Sequence, residues 1–439
     1  MSLFEAELGG GRGWSRVGEA YEVTKKPRGL DWSTVPEVPF AAMEAIPQGG
    51  AYMPDFTMKS PDAIASGTYF ERGDVLVGKI TPSFENGKQA LVHKLATPFG
   101  YATTEVIPLH PRSADHDPRL LFFYLLHPDV RHYVAERMEG STGRKRVPES
   151  VLLDLPIPAL EKQEQTAVAK SLERIHAALA AEGSCERSAQ RLKRAALRRL
   201  FTRGLKSEAR KETEVGQVPQ SWEVVPLGSL GRVGNGSTPK KSEMEYWDAG
   251  DFPWLTSAKV YDREVVAADQ FVTATALREC HLPIIEPGAI LIAITGQGRT
   301  LGHCAVLRTR ATINQHIAYV AMNAAVADPS FIRGYLETQY DYFRQVGSAG
   351  GSTKGALTCS FLRTVPIPLP ATVDEQREIA AILDAIDRKI DLHRRKRAVL
   401  DDLFKALLHK LMTGEIRVAD LDLSALTAMP QTPATETAA

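Results

Sequence analysis

The chain has 439 residues, enough for two or three domains with sizeable cores, and 44% hydrophobic with 24% charged residues is the composition of a soluble globular protein. Its 53 basic and 53 acidic side chains cancel, so there is no overall electrostatic pull toward nucleic acid, and no apolar run is long enough to cross a bilayer. The four cysteines (Cys185, Cys280, Cys304, Cys359) lack paired spacing, which argues against a disulfide framework or a Cys-x-x-Cys zinc site and fits a reducing cytoplasm.

Residues 1 to about 30 hold a glycine cluster, Gly9 to Gly13, with no strand before it and no helix after it, so it reads as a flexible opening segment. A globular part follows, to Pro158. Within it Gly73 to Ile80 reads as a turn leading into a buried strand, and Thr81 to Lys88 as a polar loop whose Asn86-Gly87 suits a tight turn. Leu120 to Met138 has the apolar spacing of an amphipathic helix. Gly140 to Arg146 combines glycines, hydroxyls and three adjacent cations, a loop that can approach phosphate through its backbone N–H groups. A long helix starts after Pro158. From Arg187 to Lys211 the basic residues are Arg187, Arg191, Lys193, Arg194, Arg198, Arg199, Arg203, Lys206, Arg210 and Lys211 against one acid, Glu208, a one-signed run suited either to a solvated face or to an anionic partner.

Lys206 to Gly216 is charged and polar and reads as a linker. The second globular part opens at Trp222 to Gly228. It continues through a loop at Gly234 to Lys241, a strand at Glu286 to Ile294, a loop at Thr295 to Thr300, a helix at Phe331 to Val346 and a loop at Gly350 to Lys354. A second long helix runs from Val373 to Met412. Beyond Gly414 the chain turns to Ala, Thr and Pro and reads as a disordered tail.

The second long helix carries a narrow seam: Ile379, Leu383, Ile386, Ile390, His393, Arg397, Leu400, Phe404, Leu407 and Leu411, in alternating steps of four and three. That is a coiled-coil heptad, and at 1.5 Å per residue such a helix runs roughly 60 Å. The same seam stands 211 residues earlier as Val168, Leu172, Ile175, Leu179, Glu182, Glu186, Ala189, Lys193, Ala196 and Leu200. The copy extends outward: Gly140-Ser-Thr recurs as Gly351-Ser-Thr, Pro156-Ile-Pro as Pro366-Ile-Pro, and Glu164-Gln165 as Glu375-Gln376. The chain is thus a duplicated unit of globular part, Pro-Ile-Pro hinge and long helix. The expected fold class is α+β, with two mixed α/β domains separated by two long helices that pair as an antiparallel intramolecular coiled coil, giving a pseudo-two-fold axis. The expected divisions are a first globular domain 1–158, helix 159–206, linker 207–217, a second domain 218–369, helix 370–414 and a tail 415–439. The proposed register sets Ile175 against Phe404, Leu179 against Leu400, Ala196 against Leu383, Glu182 against Arg397 and Glu186 against His393, so that the polar middle would become two opposite-charge pairs.

Signals for catalysis fail one by one. Gly296-x-Gly298 follows an apolar strand, but Gly302 is one residue too far for a dinucleotide fingerprint and Cys304 to Leu307 reads as strand. No Gly-x-x-x-x-Gly-Lys-Ser/Thr loop occurs, and no Asp/Asn-Pro-Pro-aromatic run of the kind an amino-methyltransferase places around a flipped base. Cys280-His281 and His303-Cys304 are adjacent pairs that cannot easily face one ion, so no metal site is expected.

The order globular part, Pro-Ile-Pro, long helix, repeated once, resembles the specificity subunit of type I restriction–modification systems. Thr213 to Gly228 is similar to that family's approach to its second target-recognition domain. Gly236-Ser-Thr-Pro, Tyr246-Trp247 and Phe252-Pro-Trp254 continue the likeness, with Gly73-Asp-Val-Leu, Ile80-Thr-Pro, Glu85-Asn-Gly-Lys88 and Glu164-Gln165. Trp14 to Val17 echoes the Trp222 segment only loosely. The resemblance implies a non-catalytic reader in the cytoplasm, in which each recognition domain reads one half of a split, asymmetric site in double-stranded DNA and the helices set the spacing. It also implies two DNA methyltransferase subunits as partners, with restriction/translocase subunits able to join. S-adenosylmethionine, ATP and Mg would belong to those partners, with no cofactor in this chain. A related fused restriction–modification system would use the same kind of subunit, and a coiled-coil scaffold that reads no DNA is the remaining alternative.

Candidate base readers are Lys79, Thr81, Asn86 and Lys88 in the first part, and Lys259, Gln297, Arg299 and Asn314 in the second, because Asn and Gln suit adenine edges and Arg and Lys suit guanine. Arg144, Lys145, Arg146 and Lys354 are candidates for phosphate. Lys240 and Lys241, close in sequence to Tyr246, Trp247 and Trp254, suit a nucleic-acid surface as well as they suit the rim of a core.

Overall fold

The computed structural model of the chain describes residues 2–8, 13–30, 35–48, 52–141, 143–206, 208–296, 299–348 and 355–422. They form two compact units, Met1–Cys185 with His393–Ala439, and Glu186–Leu392. Each unit holds one globular part and a segment of both long helices, Lys162–Arg203 and Val373–Thr413. No described helix is long and apolar enough to cross a membrane.

In the first unit a four-stranded sheet has the order Tyr21–Val23, Val106–Pro111, Val75–Gly78, Gln89–Leu91. Val75–Gly78 is buried throughout because it is covered on both faces. Val75 and Val77 join the core that includes Phe123, Leu172 and Phe404, and Leu76, pointing the other way, joins Ala41 and Phe70 beneath a second sheet. The second unit repeats the arrangement in the order Gly231–Asn235, Ile317–Met322, Ile290–Ala293, Cys304–Leu307, and adds Glu264–Val265 at the edge. There Ile290 and Ile292 face the helices while Leu291 and Ala293 face the second sheet. The second sheets match as well: the parallel pair Phe40↔Tyr101 has its counterpart in Trp254↔Thr312.

Each Pro-Ile-Pro hinge is an edge strand. Pro156–Pro158 pairs antiparallel with Trp14–Arg16, and Pro366–Leu369 with Glu223–Pro226. The bonds of the first hinge come from its odd positions: Val17 N–H donates to Leu155 O and Ala159 N–H to Gly13 O, both at 2.9 Å. The prolines therefore sit where no N–H is called for, and Ile157 and Ile367 enter the cores. The pairing also locates the true echo of the two openings. Arg16 stands opposite Pro156 as Pro226 stands opposite Pro366, so Val17-Gly18 corresponds to Leu227-Gly228 and Trp14 to Val224, not to Trp222. A Cβ on Gly18 would lie 3.2 Å from Leu153 Cβ, and one on Gly228 3.0 Å from Arg363 Cβ, the same close approach in both units.

The joint between globular part and helix is duplicated bond for bond. Gln165 Oε1 accepts the Asp117 N–H at 2.8 Å, and its amide donates to the carbonyls of Asp115 and Leu160. Gln376 Oε1 accepts the Asp328 N–H at 2.8 Å, and its amide donates to the carbonyls of Val326 and Pro370. Asp117 and Asp328 in turn cap the helices Pro118–Tyr124 and Pro329–Thr338.

Within each unit the helix segments run antiparallel. In the first, His176 packs on Phe404 (ring centres 5.9 Å apart) and Glu182 meets His393; in the second, Lys193 meets Asp387 and Lys206 meets Glu375. Ile175, Leu179, Leu400 and Phe404 share one core, and Ala196 and Leu383 the other, as expected. The expected partner of His393 is corrected. His393 Nδ1 lies 2.5 Å from Glu182 Oε2, with Lys396 Nζ 3.7 Å from the other oxygen, while Glu186 falls in the second unit beside Gln190. Knobs on antiparallel helices interdigitate, so a long side chain reaches the position one turn along.

Four further expectations change. Leu120 to Met138 is two helices, Pro118–Tyr124 and Pro128–Glu136, because Pro128 cannot continue the first. Phe331 to Val346 likewise spans Pro329–Thr338 and Tyr340–Ser348. The linker 207–217 contains most of a hairpin, Arg210–Thr213 with Gly216–Pro219, whose turn takes Gly216 at φ +90°. The first eight residues of the expected tail are ordered, with Ile416, Val418 and Leu421 against the first core. Its remainder, like Gly9 to Arg12, lies outside the described residues.

Candidate nucleic-acid interface

The two units build the same loop cluster where the central strand ends. In the first, Val75–Gly78 leads into Lys79, whose N–H donates to Glu105 O (2.9 Å) and whose carbonyl accepts from Val147 N (2.8 Å). In the second, Ile294 N–H donates to His316 O (3.0 Å), and Ile294 O accepts from Leu357 N (2.8 Å). Ile80 bridges to Arg146 as Thr295 bridges to Ala356. Two turns sit on this frame. Glu105 N–H donates to Thr103 Oγ1 at 3.4 Å, and His316 N–H to Asn314 Oδ1 at 3.0 Å. Strand exit, turn and following loop are thus tied at equivalent backbone points, and what differs is the side chains they carry.

In the first unit Arg146 lies across Glu105: Nε donates to one carboxylate oxygen at 2.8 Å and Nη2 to the other at 2.6 Å. This fork holds the Glu105 carboxyl below the usual carboxylate range. Arg144 and Lys145 are exposed. Lys79 is half-buried, and Thr81 Oγ1 donates to Glu85 at 2.8 Å. Asn86 is exposed on its turn, where a Cβ on Gly87 (φ +80°) would strike Arg131 Nη1 at 2.5 Å. Lys88 is corrected: its ammonium donates to Met43 O at 2.6 Å, so it serves the loop.

In the second unit Gln315 and His316 are exposed and held by their neighbours. Thr238 donates its hydroxyl to Gln315 Oε1, Gln315 Nε2 lies 3.2 Å from His316 Nε2, and His316 Nδ1 lies 2.5 Å from Thr295 Oγ1. The arrangement is self-consistent for a neutral imidazole that accepts from Gln315 at Nε2 and donates to Thr295 at Nδ1. The loop carrying Thr238 reaches this place because Gly236 has no Cβ, which would stand 1.9 Å from Ile313 O. Lys241 lies over the rings of Trp247 and Trp254, at 5.5 and 5.9 Å from their centres, and Lys240 pairs with Glu243. Arg299 is exposed, its carbonyl accepting from Tyr340 OH. Two expectations are corrected. Lys259 is drawn to Asp269 at 2.8 Å, which raises its pKa, and Asn314 is buried with its side chain spent on the turn. Gln297 and Lys354 lie outside the described residues.

Sequence reasoning missed Glu105, Thr238, Gln315 and His316. The signal lay in the repeat itself, but insertions ahead of the second strand hide the equivalence of Ile80 with Thr295.

Of the adjacent cysteine–histidine pairs, Cys304 is buried with its thiol pKa pushed up to about 12, and His303 lies between the rings of Tyr261 and Tyr340. The one His/Asp group with converging ligand atoms among the described residues is His127, Asp129 and His409 in the first unit, within 4.8 Å of one another. Its chemistry is that of a hydrogen-bonded joint. His127 Nδ1 accepts the Asp129 N–H at 3.1 Å, so the proton is on Nε2, which donates to His409 Nδ1 at 3.1 Å. Burial pushes the His127 pKa down to about 4. The unfolded chain therefore binds a proton that the folded unit refuses between about pH 6.5 and 4, and the stability this residue contributes is present above pH 6.5 and lost as the pH falls through that window. His127→Asn keeps a cap acceptor and should flatten the fall of thermal stability over this range; parallel curves for the two proteins would refute the role.

Comparison with known proteins places this geometry. The family model described as "Type I restriction modification DNA specificity domain" matches residues 219–402. The MjaIX specificity subunit of Methanocaldococcus jannaschii is 30% identical over 203 residues, a match spanning 44% of this chain and 45% of that relative. The putative MjaX specificity subunit of the same organism is 25% identical over 356 residues, 79% of each chain. The crystal structure of the type I restriction–modification S subunit from M. genitalium superposes with a TM-score of 0.58 at 16% identity, over 92% of this chain and 97% of that one, a likeness of fold.

Proposed function

From the chain's likeness to type I restriction–modification specificity subunits, we propose that it is the non-catalytic DNA reader of such a system. Two target-recognition domains, 1–158 and 218–369, each read one half of a bipartite, asymmetric site, and the helices 159–206 and 370–414 set the spacing and dock two DNA methyltransferase subunits. Restriction/translocase subunits join that complex. S-adenosylmethionine, ATP and Mg are bound by the partners, and the assembly works in the cytoplasm on double-stranded DNA.

The observation that carries this reading is the duplicated loop cluster. One backbone frame appears twice, each time bearing exposed polar groups held by their neighbours, and the two sets differ in chemistry. A reader of two unlike half-sites needs that combination, since equivalent poses follow from the frame and different bases from the side chains. Arg144 and Lys145 suit phosphate, and Lys241 on its two tryptophans offers a cation with a stacking surface.

The test is modification mapping. The chain is co-expressed with its methyltransferase subunits and methylated adenines are located across the genome. A split motif methylated on both strands is expected. Methylation unchanged when this chain is omitted would overturn the reading.

A further inference from the structure

Arg146, on the loop beside the turn 103–105, and Gln315, on the turn 314–316, have free hydrogen-bonding edges of different kinds, and this deepens the reading above, on which it rests. Arg146 spends Nε and one Nη2 proton on Glu105. Both Nη1 protons and the second Nη2 proton remain, and one Nη1 proton with that Nη2 proton forms the end-on edge of the guanidinium. That edge offers two parallel donors with no acceptor, the complement of guanine O6 and N7. The Glu105 carboxylate lies behind the fork, so the edge is held without needing a phosphate to orient it.

Gln315 is spent differently. Its Oε1 accepts from Thr238 and one amide proton goes to His316 Nε2. One acceptor lone pair and one N–H remain, and a single donor beside a single acceptor is the complement of adenine N6 and N7. His316 is itself held by Thr295, so the amide is gripped from both sides, and in either amide orientation one donor and one acceptor remain. In both units the presenting group is exposed; Glu105 and His316 support it from the turns 103–105 and 314–316, and Thr238 from the loop that carries Gly236.

We propose that Arg146 reads a guanine in one half-site and Gln315 an adenine in the other, with Glu105, Thr238 and His316 as positioning residues. This moves Arg146 from the phosphate contacts to the base readers and adds Gln315 to them. A bidentate base contact of this kind discriminates roughly ten- to a hundredfold against the wrong base.

The experiment selects DNA from a randomised library with the full chain in its methyltransferase complex and reads the preference at each position. Arg146→Ala should lose roughly ten- to a hundredfold of preference at one guanine in one half-site and leave the other half-site unchanged. Gln315→Ala should do the converse at one adenine. Glu105→Gln keeps the arginine and should lower the same guanine preference several-fold, with the slope of affinity against salt unaltered. The untouched half-site reports in every case that the complex is assembled and folded. Unchanged base preferences, with the salt slope of Arg146→Ala reduced by about one, would assign Arg146 to phosphate and overturn its part of the proposal. Loss in both half-sites together would overturn it for either residue. A wild-type complex that selects no sequence at all would instead sink the DNA-reading function itself.

Discussion

Replacing Asp387 by Asn should destabilise the second unit by about 3–5 kcal/mol, the cost of removing one partner from a buried ion cluster. Asp387 is 4% exposed. Lys193 Nζ and Arg263 Nη1 each lie 2.8 Å from its carboxylate, and Arg333 Nη2 lies 3.4 Å away. Burial alone would raise its pKa; the hydrogen bond from Lys193 and the fields of the three cations outweigh that and lower it. Its contribution is therefore present above the ordinary carboxylate pKa and is lost as the pH falls through the depressed one. Lys193 and Arg333 are also buried, so an uncharged amide takes from the Lys193 ammonium one of its two carboxylate partners and leaves it only Glu337. Chemical denaturation of the variant measures the loss. Lys193→Met combined with Asp387→Asn should cost less than the two changes summed, because the second removes a charge the first has stranded. A single variant as stable as the parent would show that the cluster is not what joins the strand-side residue Arg263 to the helix.

The second large effect is expected at Trp222. Its ring is fully buried against Phe331, 6.0 Å between centres, and its Nε1–H donates to Glu375 Oε1 at 3.3 Å. Trp222→Ala removes the largest side chain of the second core and should cost about 3–5 kcal/mol. It also takes a donor from a carboxylate that is itself buried, leaving Lys206 as the charged partner. Trp222→Phe keeps most of the volume and should recover most of the stability, the remainder being the lost hydrogen bond, about 1 kcal/mol. Equal losses for the two variants would mean that the hydrogen bond, not the packing, dominates there.

The seam residues were legible because a period of 3.5 survives tertiary context: of the twenty seam positions from Val168 to Leu200 and from Ile379 to Leu411, fifteen are buried, four are half-buried and Arg397 is exposed. The hinges were legible because proline twice at the same spacing can only be an edge. Breaks at Pro128 and between Thr338 and Tyr340 were not, since an apolar stripe continues across two short helices that face the same core. The candidate readers fared unevenly for a physical reason. Lysine and asparagine look alike in a sequence whether they face solvent or serve the backbone; Lys88 holds the distant carbonyl of Met43 and Asn314 closes a turn. Glu105 and His316 gained meaning only when the ladder beside them showed that they occupy the same place.

The glutamine joints have an evolutionary consequence. Gln165 and Gln376 each grip only main chain, two carbonyls and one amide, and no side chain of the globular part takes part in those three bonds. Such a socket is blind to the identity of the residues plugged into it. At these two points the residues of the globular part can change freely, whereas the side-chain contacts of Asp387 and Trp222 must be kept for the second half to stay attached. Change in the loops of either half can therefore accumulate without a matching change in the glutamine that anchors it.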